Sequence, residues 1–134
     1  MNRTPAVRRE QSGSPLEEAI GSARAVAAGD LVLVSGTLPL SDGVVRGEGS
    51  PYEQALLAFH DALAALEPFG LGPDSVVRTR MYVSHARDAE DVGRAHRELF
   101  GEVRPAATVV VVAGFPDSGV LVQVEIEAFR GDTR

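Results

Sequence analysis

Near the end of the chain, Glu125 and Glu127 are two residues apart, on one face of an alternating segment that also presents Leu121 and Gln123. Like charges so placed repel unless a cation or water lies close, and Arg24 and Arg104 are the cations the sequence offers. In a pocket shielded from bulk water, such a carboxylate directs a water molecule or moves a proton, which makes Glu125 the candidate catalytic group. The competing reading of both glutamates is a structural ion pair.

Arg24 is the candidate ligand clamp, because a guanidinium can grip a carboxylate through two parallel hydrogen bonds. Alternation puts it on the same face as Ser22, the second candidate contact. The alternative for Arg24 is an ion pair at a subunit boundary. Arg104 is held extended by Pro105 and reaches either the mouth of a site or solvent. Gln54, Asp61, Arg80 and Thr108 are weaker candidates.

Other chemistries find no support. His60, His85 and His96 lack the i, i+4 spacing of a helical metal site, so the expectation is no metal and a structural role for each. Ser35 has no nucleophile-elbow motif around it. The chain has no cysteine, and all 13 of its basic residues are arginine, so neither thiolate nor lysine Schiff-base chemistry is available. No cofactor is expected.

The balance of 19 acidic against 13 basic residues gives a net charge of -6, which repels phosphate backbones and anionic lipid surfaces. Neither nucleic acid nor a membrane is therefore an expected partner. No run approaches a bilayer span, and residues 1–18 lack the apolar core of a signal peptide, so the expected location is the cytoplasm.

Positioning these residues falls to a single domain, since 134 residues with 44% apolar content suit one hydrophobic core. Residues 1–18 read as an extended arm with a short edge strand at 6–9, residues 19–130 as the domain and 131–134 as a tail. Strands at 24–28 and 31–36 flank the turn dipeptide Gly29-Asp30, and Asp42-Gly43 repeats that signal before Val44-Val45. Ser50, Pro51 and Glu53 form a capping signature for a helix whose buried face is Tyr52, Ala55, Leu56, Phe59, Leu63 and Leu66. In the strand at 75–84, Val77, Thr79, Met81 and Val83 face the core and Arg78, Arg80 and Tyr82 face away. A second helix, capped by Asp88, shows a stripe of Val92, Ala95, His96 and Leu99 before Gly101. Strands at 106–113 and 120–129 complete the order β-β-β-α-β-α-β-β, an α+β mixed sheet with both helices on one face. The run Val109-Val110-Val111-Val112 is apolar on both faces, and two helices cover only one, so a second copy of the chain is the expected cover.

In order and spacing, Ala19-Ile20-Gly21, Val34-Ser35-Gly36, Gln54, VVRTRMYV at 76–83, Phe100-Gly101, Arg104-Pro105-Ala106 and VEIEA at 124–128 resemble the RidA/YjgF superfamily, also labelled endoribonuclease L-PSP. The resemblance implies a chorismate-mutase-like fold, a homotrimer with inward-packed sheets, and ligand clefts between subunits. In the family's deaminases, an arginine directly after Pro-Ala grips a substrate carboxylate and a glutamate in the last strand directs water, converting enamines and imines such as 2-aminoacrylate to keto acids and ammonia. Here the glutamate position is Glu125, but the arginine position is Ala107. The deaminase tyrosine falls at Ser22 and the helix asparagine at Asp61. These departures are similar to a divergent branch reading Gly-Tyr-Ser-Arg-Ala-Val, matched here by Gly21-Ser22-Ala23-Arg24-Ala25-Val26.

The implied ligand is a small carboxylate or carbonyl metabolite, bound around Arg24, Ser22, Ala107, Thr108 and Arg104 and turned over with Glu125. It implies a protein other than an ordinary 2-aminoacrylate deaminase. The alternatives are a binding trimer without chemistry and, with least support, an endoribonuclease.

Overall fold

Strand alternation governs the architecture. In the computed structural model, which describes residues 7–131, the strand Val122–Phe129 (β8) buries Val122, Val124, Ile126 and Ala128 while Gln123, Glu125 and Glu127 stay partly exposed. It lies inside a six-stranded sheet with Val7–Glu10 (β1), Ala25–Ala28 (β2), Leu31–Thr37 (β3), Val76–Val83 (β6) and Ala106–Val111 (β7), in the order β1-β2-β3-β8-β6-β7. Every pairing is antiparallel except β6 with β7, which the helix Ala89–Phe100 (α3) connects in parallel. The helix Pro51–Ala64 (α2) packs on β3, β8 and α3, and Ala55, Ala58, Phe59, Ala62, Val92, Ala95 and Phe100 form one core with the buried sheet residues. Both long helices therefore cover the same face, and the other face is open. No helix among the described residues is long and apolar enough to cross a membrane.

The capping signature of α2 is realised, with Ser50 Oγ accepting from the Glu53 N–H at 3.1 Å. The same cassette, Ser14-Pro15-x-Glu17, starts a short helix Pro15–Ile20 (α1) inside the segment read as an extended arm, and Ser14 Oγ accepts from the Glu17 N–H. The expected boundary between 18 and 19 thus falls within α1. The edge strand at 6–9 is β1, although Ala6 and residues 132–134 of the tail lie outside the described residues. Val44–Val45 (β5) pairs only with Leu40–Ser41 (β4), as a small separate ribbon turned by Asp42 and Gly43, both at positive φ.

Three local expectations are corrected. Val77 is 45% exposed rather than core-facing, because a register shift between Val76 and Arg78 puts Val76 inside instead. Asp88 is itself helical and makes no side-chain cap, since the turn Ala86–Asp88 runs straight into α3. The apolar run ends as a strand at Val111, and it is an edge strand exposed along its whole length rather than part of a bare apolar sheet face. The centre of the open face is polar, carrying Arg78, Arg80, Tyr82, Gln123, Glu125 and Glu127.

Gln54 is a structural clamp. Fully buried, it donates from Nε2 to the Gly119 carbonyl at 2.9 Å and accepts at Oε1 from the Leu121 N–H at 2.7 Å, tying α2 to the loop before β8. Gln54→Leu strands both backbone groups and is expected to cost about 2–4 kcal/mol, read as a lower urea midpoint at unchanged m-value. An unchanged midpoint would mean that the amide contributes nothing the loop cannot replace.

Candidate functional site

On the open face, β8, β6 and β7 lie side by side, so Glu125, Arg80 and Thr108 form one row across the sheet. Arg80 Nη1 is 3.1 Å from Glu127 Oε2 and 3.5 Å from Glu125 Oε1, and the Tyr82 hydroxyl donates to Glu125 Oε1 at 3.0 Å. One guanidinium thus relieves the repulsion between the two glutamates, which identifies the required cation as Arg80 rather than Arg24 or Arg104. The bond to Glu127, with both carboxylates adding Coulomb attraction, raises the pKa of Arg80. Burial, then the hydrogen bond to Glu125, raises that of Tyr82, so the phenol stays protonated and donates. Glu125 Oε2 has no hydrogen-bond partner among the described residues and remains able to hold water.

Ala107 lies on the other face of the sheet. It pairs with Thr79, which points into the core and shares a 2.8 Å hydrogen bond with His96 Nε2. The His96 ring packs against Phe59 and Phe100, with centroids 5.6 and 4.9 Å away, and burial lowers its pKa, leaving a neutral imidazole at pH 7. His96 also lines a groove with Arg104 and Pro105 at the entrance to β7.

Arg24 is elsewhere again. Its backbone extends the ladders of β2, donating to the Glu10 carbonyl and accepting from the Ser35 N–H, but its side chain runs to α2 instead of sharing a site with Ser22. Nη1 donates to the Thr37 hydroxyl at 2.9 Å and Nη2 to the Asp61 carbonyl at 3.0 Å. Burial lowers its pKa against the pull of Asp61 and Glu17, but a guanidinium remains charged at neutral pH. The Asp61 carboxylate accepts from Arg46 Nη2 at 2.8 Å, a partner not anticipated from sequence. Ser22 lines a shallow groove with Arg9, Gln11, Glu17 and Glu18.

The single chain therefore does not gather the expected site residues. Glu125 and Thr108 share the open face, Ala107 and Arg104 border the edge near His96, and Arg24 and Ser22 lie near β2. Sequence reasoning gives Tyr82 and Arg46 no site role and His96 only a structural one. For Tyr82 a signal existed, since alternation already gave it the face of Arg80. Nothing local links Thr79 to His96. Among the described residues, no group of three histidine, aspartate or glutamate side chains is arranged to hold a metal ion.

Residues 16–130 match the family model described as endoribonuclease L-PSP. An uncharacterised protein of Streptomyces coelicolor is 59% identical over 126 residues, spanning 94% of both chains. Among solved structures, Rv2704 of Mycobacterium tuberculosis, a member of the YjgF/YER057c/UK114 family, is 34% identical with a TM-score of 0.82, over 92% of this chain and 98% of that one. Escherichia coli TdcF, solved with bound serine, shares the fold at 20% identity and a TM-score of 0.75, over 96% of this chain and 97% of its own. An open-faced sheet under two helices, joined to a family match over nearly the whole domain, makes this chain a member of the endoribonuclease L-PSP family, the YjgF/RidA superfamily.

Proposed function

We propose that the chain forms a cytoplasmic homotrimer whose intersubunit clefts hydrolyse or isomerise a small enamine, imine or related carbonyl metabolite without an arginine at position 107. The observation that carries this reading is that Glu125 and Ala107 occupy opposite faces of the sheet with β6 between them. Residues at the family's two reactive positions do not line one cleft within a chain, and in this reading a neighbouring copy completes it. The edge strand supports the same assembly, with Val109, Val110 and Val111 exposed at 40%, 36% and 56% beside an unpaired edge.

In this reading, Tyr82 and Arg80 fix Glu125 through Oε1 while Oε2 orients a water molecule. Water adds to the imine carbon of the substrate while one of its protons passes by way of Glu125 to the nitrogen. The hydroxyl of the resulting carbinolamine then gives its proton to the same nitrogen by way of Glu125, as the carbonyl forms and ammonia leaves. Without the bidentate clamp, an ordinary 2-aminoacrylate substrate is poorly oriented. The same absence favours a second reading, a trimer that binds small carboxylates without chemistry, and the serine bound by TdcF suits a ligand of that size. RNA cleavage has less support, because the net charge is -6 and Arg80 on the open face is already paired with glutamates. Arg24 takes the anchoring role, its two terminal nitrogens being held within the chain.

Light scattering at micromolar concentration is expected to give about three times the 14.1 kDa chain mass, and the mass of one chain would remove the cleft. Ammonia release from freshly generated 2-aminoacrylate should fall roughly a hundredfold below that of an arginine-containing family member, and Ala107→Arg should raise it. Turnover equal to such a relative would show that Ala107 is no deficit. Arg24→Ala is expected to lower stability by about 1–3 kcal/mol through the loss of two part-buried bonds, with ligand affinity in the surviving trimer unchanged. A tenfold or greater loss of carboxylate affinity at intact stability would return Arg24 to the ligand site.

A further inference from the structure

We propose that the groove between the last turn of α3 and the connection to β7 binds the acid group of a small carboxylate, with Arg97 and Arg104 as anion contacts and His96 on its wall. This rests on the reading that the ligand is a small carboxylate or carbonyl metabolite, and it says where the acid is held in a chain lacking arginine at 107. The groove is open to solvent and offers about 570 Å³, enough for a compact metabolite, and His96, Arg97, Phe100, Glu102, Arg104 and Pro105 are among its walls.

Its charges are uncommitted. Arg24, Arg46, Arg80 and Arg130 each hydrogen-bond to protein groups, whereas among the described residues neither Arg97 nor Arg104 has a side-chain partner. Glu98 also borders the groove, but its carboxylate accepts from the Tyr52 hydroxyl, which leaves Glu102 as the acid without a partner. A ligand carboxylate would satisfy two guanidinium groups that the chain leaves open.

Its frame is rigid and strained. Arg104, expected to be held extended by Pro105, instead has φ +61°, because its N–H closes the turn after α3. This left-handed conformation is one that non-glycine residues rarely adopt and that clusters at ligand clamps. Its N–H is held by the Phe100 carbonyl at 2.8 Å, and Pro105 follows. Gly101 presses onto α3 so closely that a Cβ there would lie 2.6 Å from the Arg97 carbonyl, fixing the connection against the turn that carries Arg97. The Thr79 hydrogen bond orients His96, and Ala107 is the cross-strand neighbour of that Thr79.

Pyruvate, the keto acid that enamine hydrolysis would release, is the probe. Titrated into the full-length protein and followed by NMR, it should shift and saturate resonances of residues 96–105. Arg104→Gln or Arg97→Gln should weaken it about tenfold or more, while Arg87→Gln on the exposed turn before α3 should leave the affinity unchanged. The bound carboxylate should also raise the His96 pKa, since a nearby anion favours the imidazolium. The charged groups that line the groove with His96 are Arg97 and Glu98 on α3 and Glu102 and Arg104 on the connection, while Phe59 of α2 and Thr79 of β6, which touch the ring, bring none. Shifts confined to the open face around Glu125, equal affinity in both arginine variants, or no saturable shift at tens-of-millimolar pyruvate would each overturn the proposal. Binding is read without turnover, so a protein that binds pyruvate here yet releases no ammonia keeps the groove and loses only the catalytic reading.

Discussion

Two helices of this length cannot wrap both faces of a six-stranded sheet, and most of the structure answers to that shortage. The core is built where α2 and α3 lie, from Phe59, Phe100 and the inward residues of β3, β6 and β8. Across the sheet, alternate positions of the same strands must be tolerable without a helix over them, and they are polar at the centre. Arg80, Tyr82, Glu125 and Glu127 satisfy one another there through charge-assisted bonds. The chemical groups assigned to water handling are thus the groups the sheet needs to keep its uncovered face solvated.

The helix-covered face carries its own polar groups, most of them partnered, although Arg46 Nε is buried without a hydrogen bond. Gln54 is spent on backbone groups of the loop before β8, and Thr79 on His96. Arg24 crosses from the strand edge to α2, where it satisfies a carbonyl near that helix's last turn while Arg46 takes the carboxylate of the same residue. Asp61 therefore joins three segments distant in sequence, and its backbone and side chain answer to different arginines.

Much of this was legible in the sequence, because alternation and capping are local rules. The strands, the start of α2, the stripe of α3 and the paired faces of β6 and β8 all follow from spacing. Where reading failed, a non-local or irregular feature intervened. A register shift reverses Val77, a short turn leaves Asp88 at the start of α3 without a side-chain cap, and the cassette at Ser14 starts a helix just as the matching one at Ser50 does. Site geometry was less accessible: Glu125 was found through its spacing and its resemblance, but which arginine meets it depends on the β6–β8 register, which no local pattern encodes. His96 read as a structural residue because the groove beside it is made by the connection after α3, not by α3 alone.

The position of β8 has a consequence for how the molecule comes into being. It is the last strand of the chain yet sits inside the sheet, pairing Leu31 with Phe129 on one side and Val83 with Val122 on the other. Until it arrives, β1–β3 and β6–β7 are two ribbons with no shared ladder, each with an unpaired backbone edge. A chain still being synthesised therefore cannot close its sheet until β8 has left the ribosome. Loss of β8 should be far more damaging than its length suggests, while the edge strand β1 adds its pairing to a sheet that the other five strands can already form.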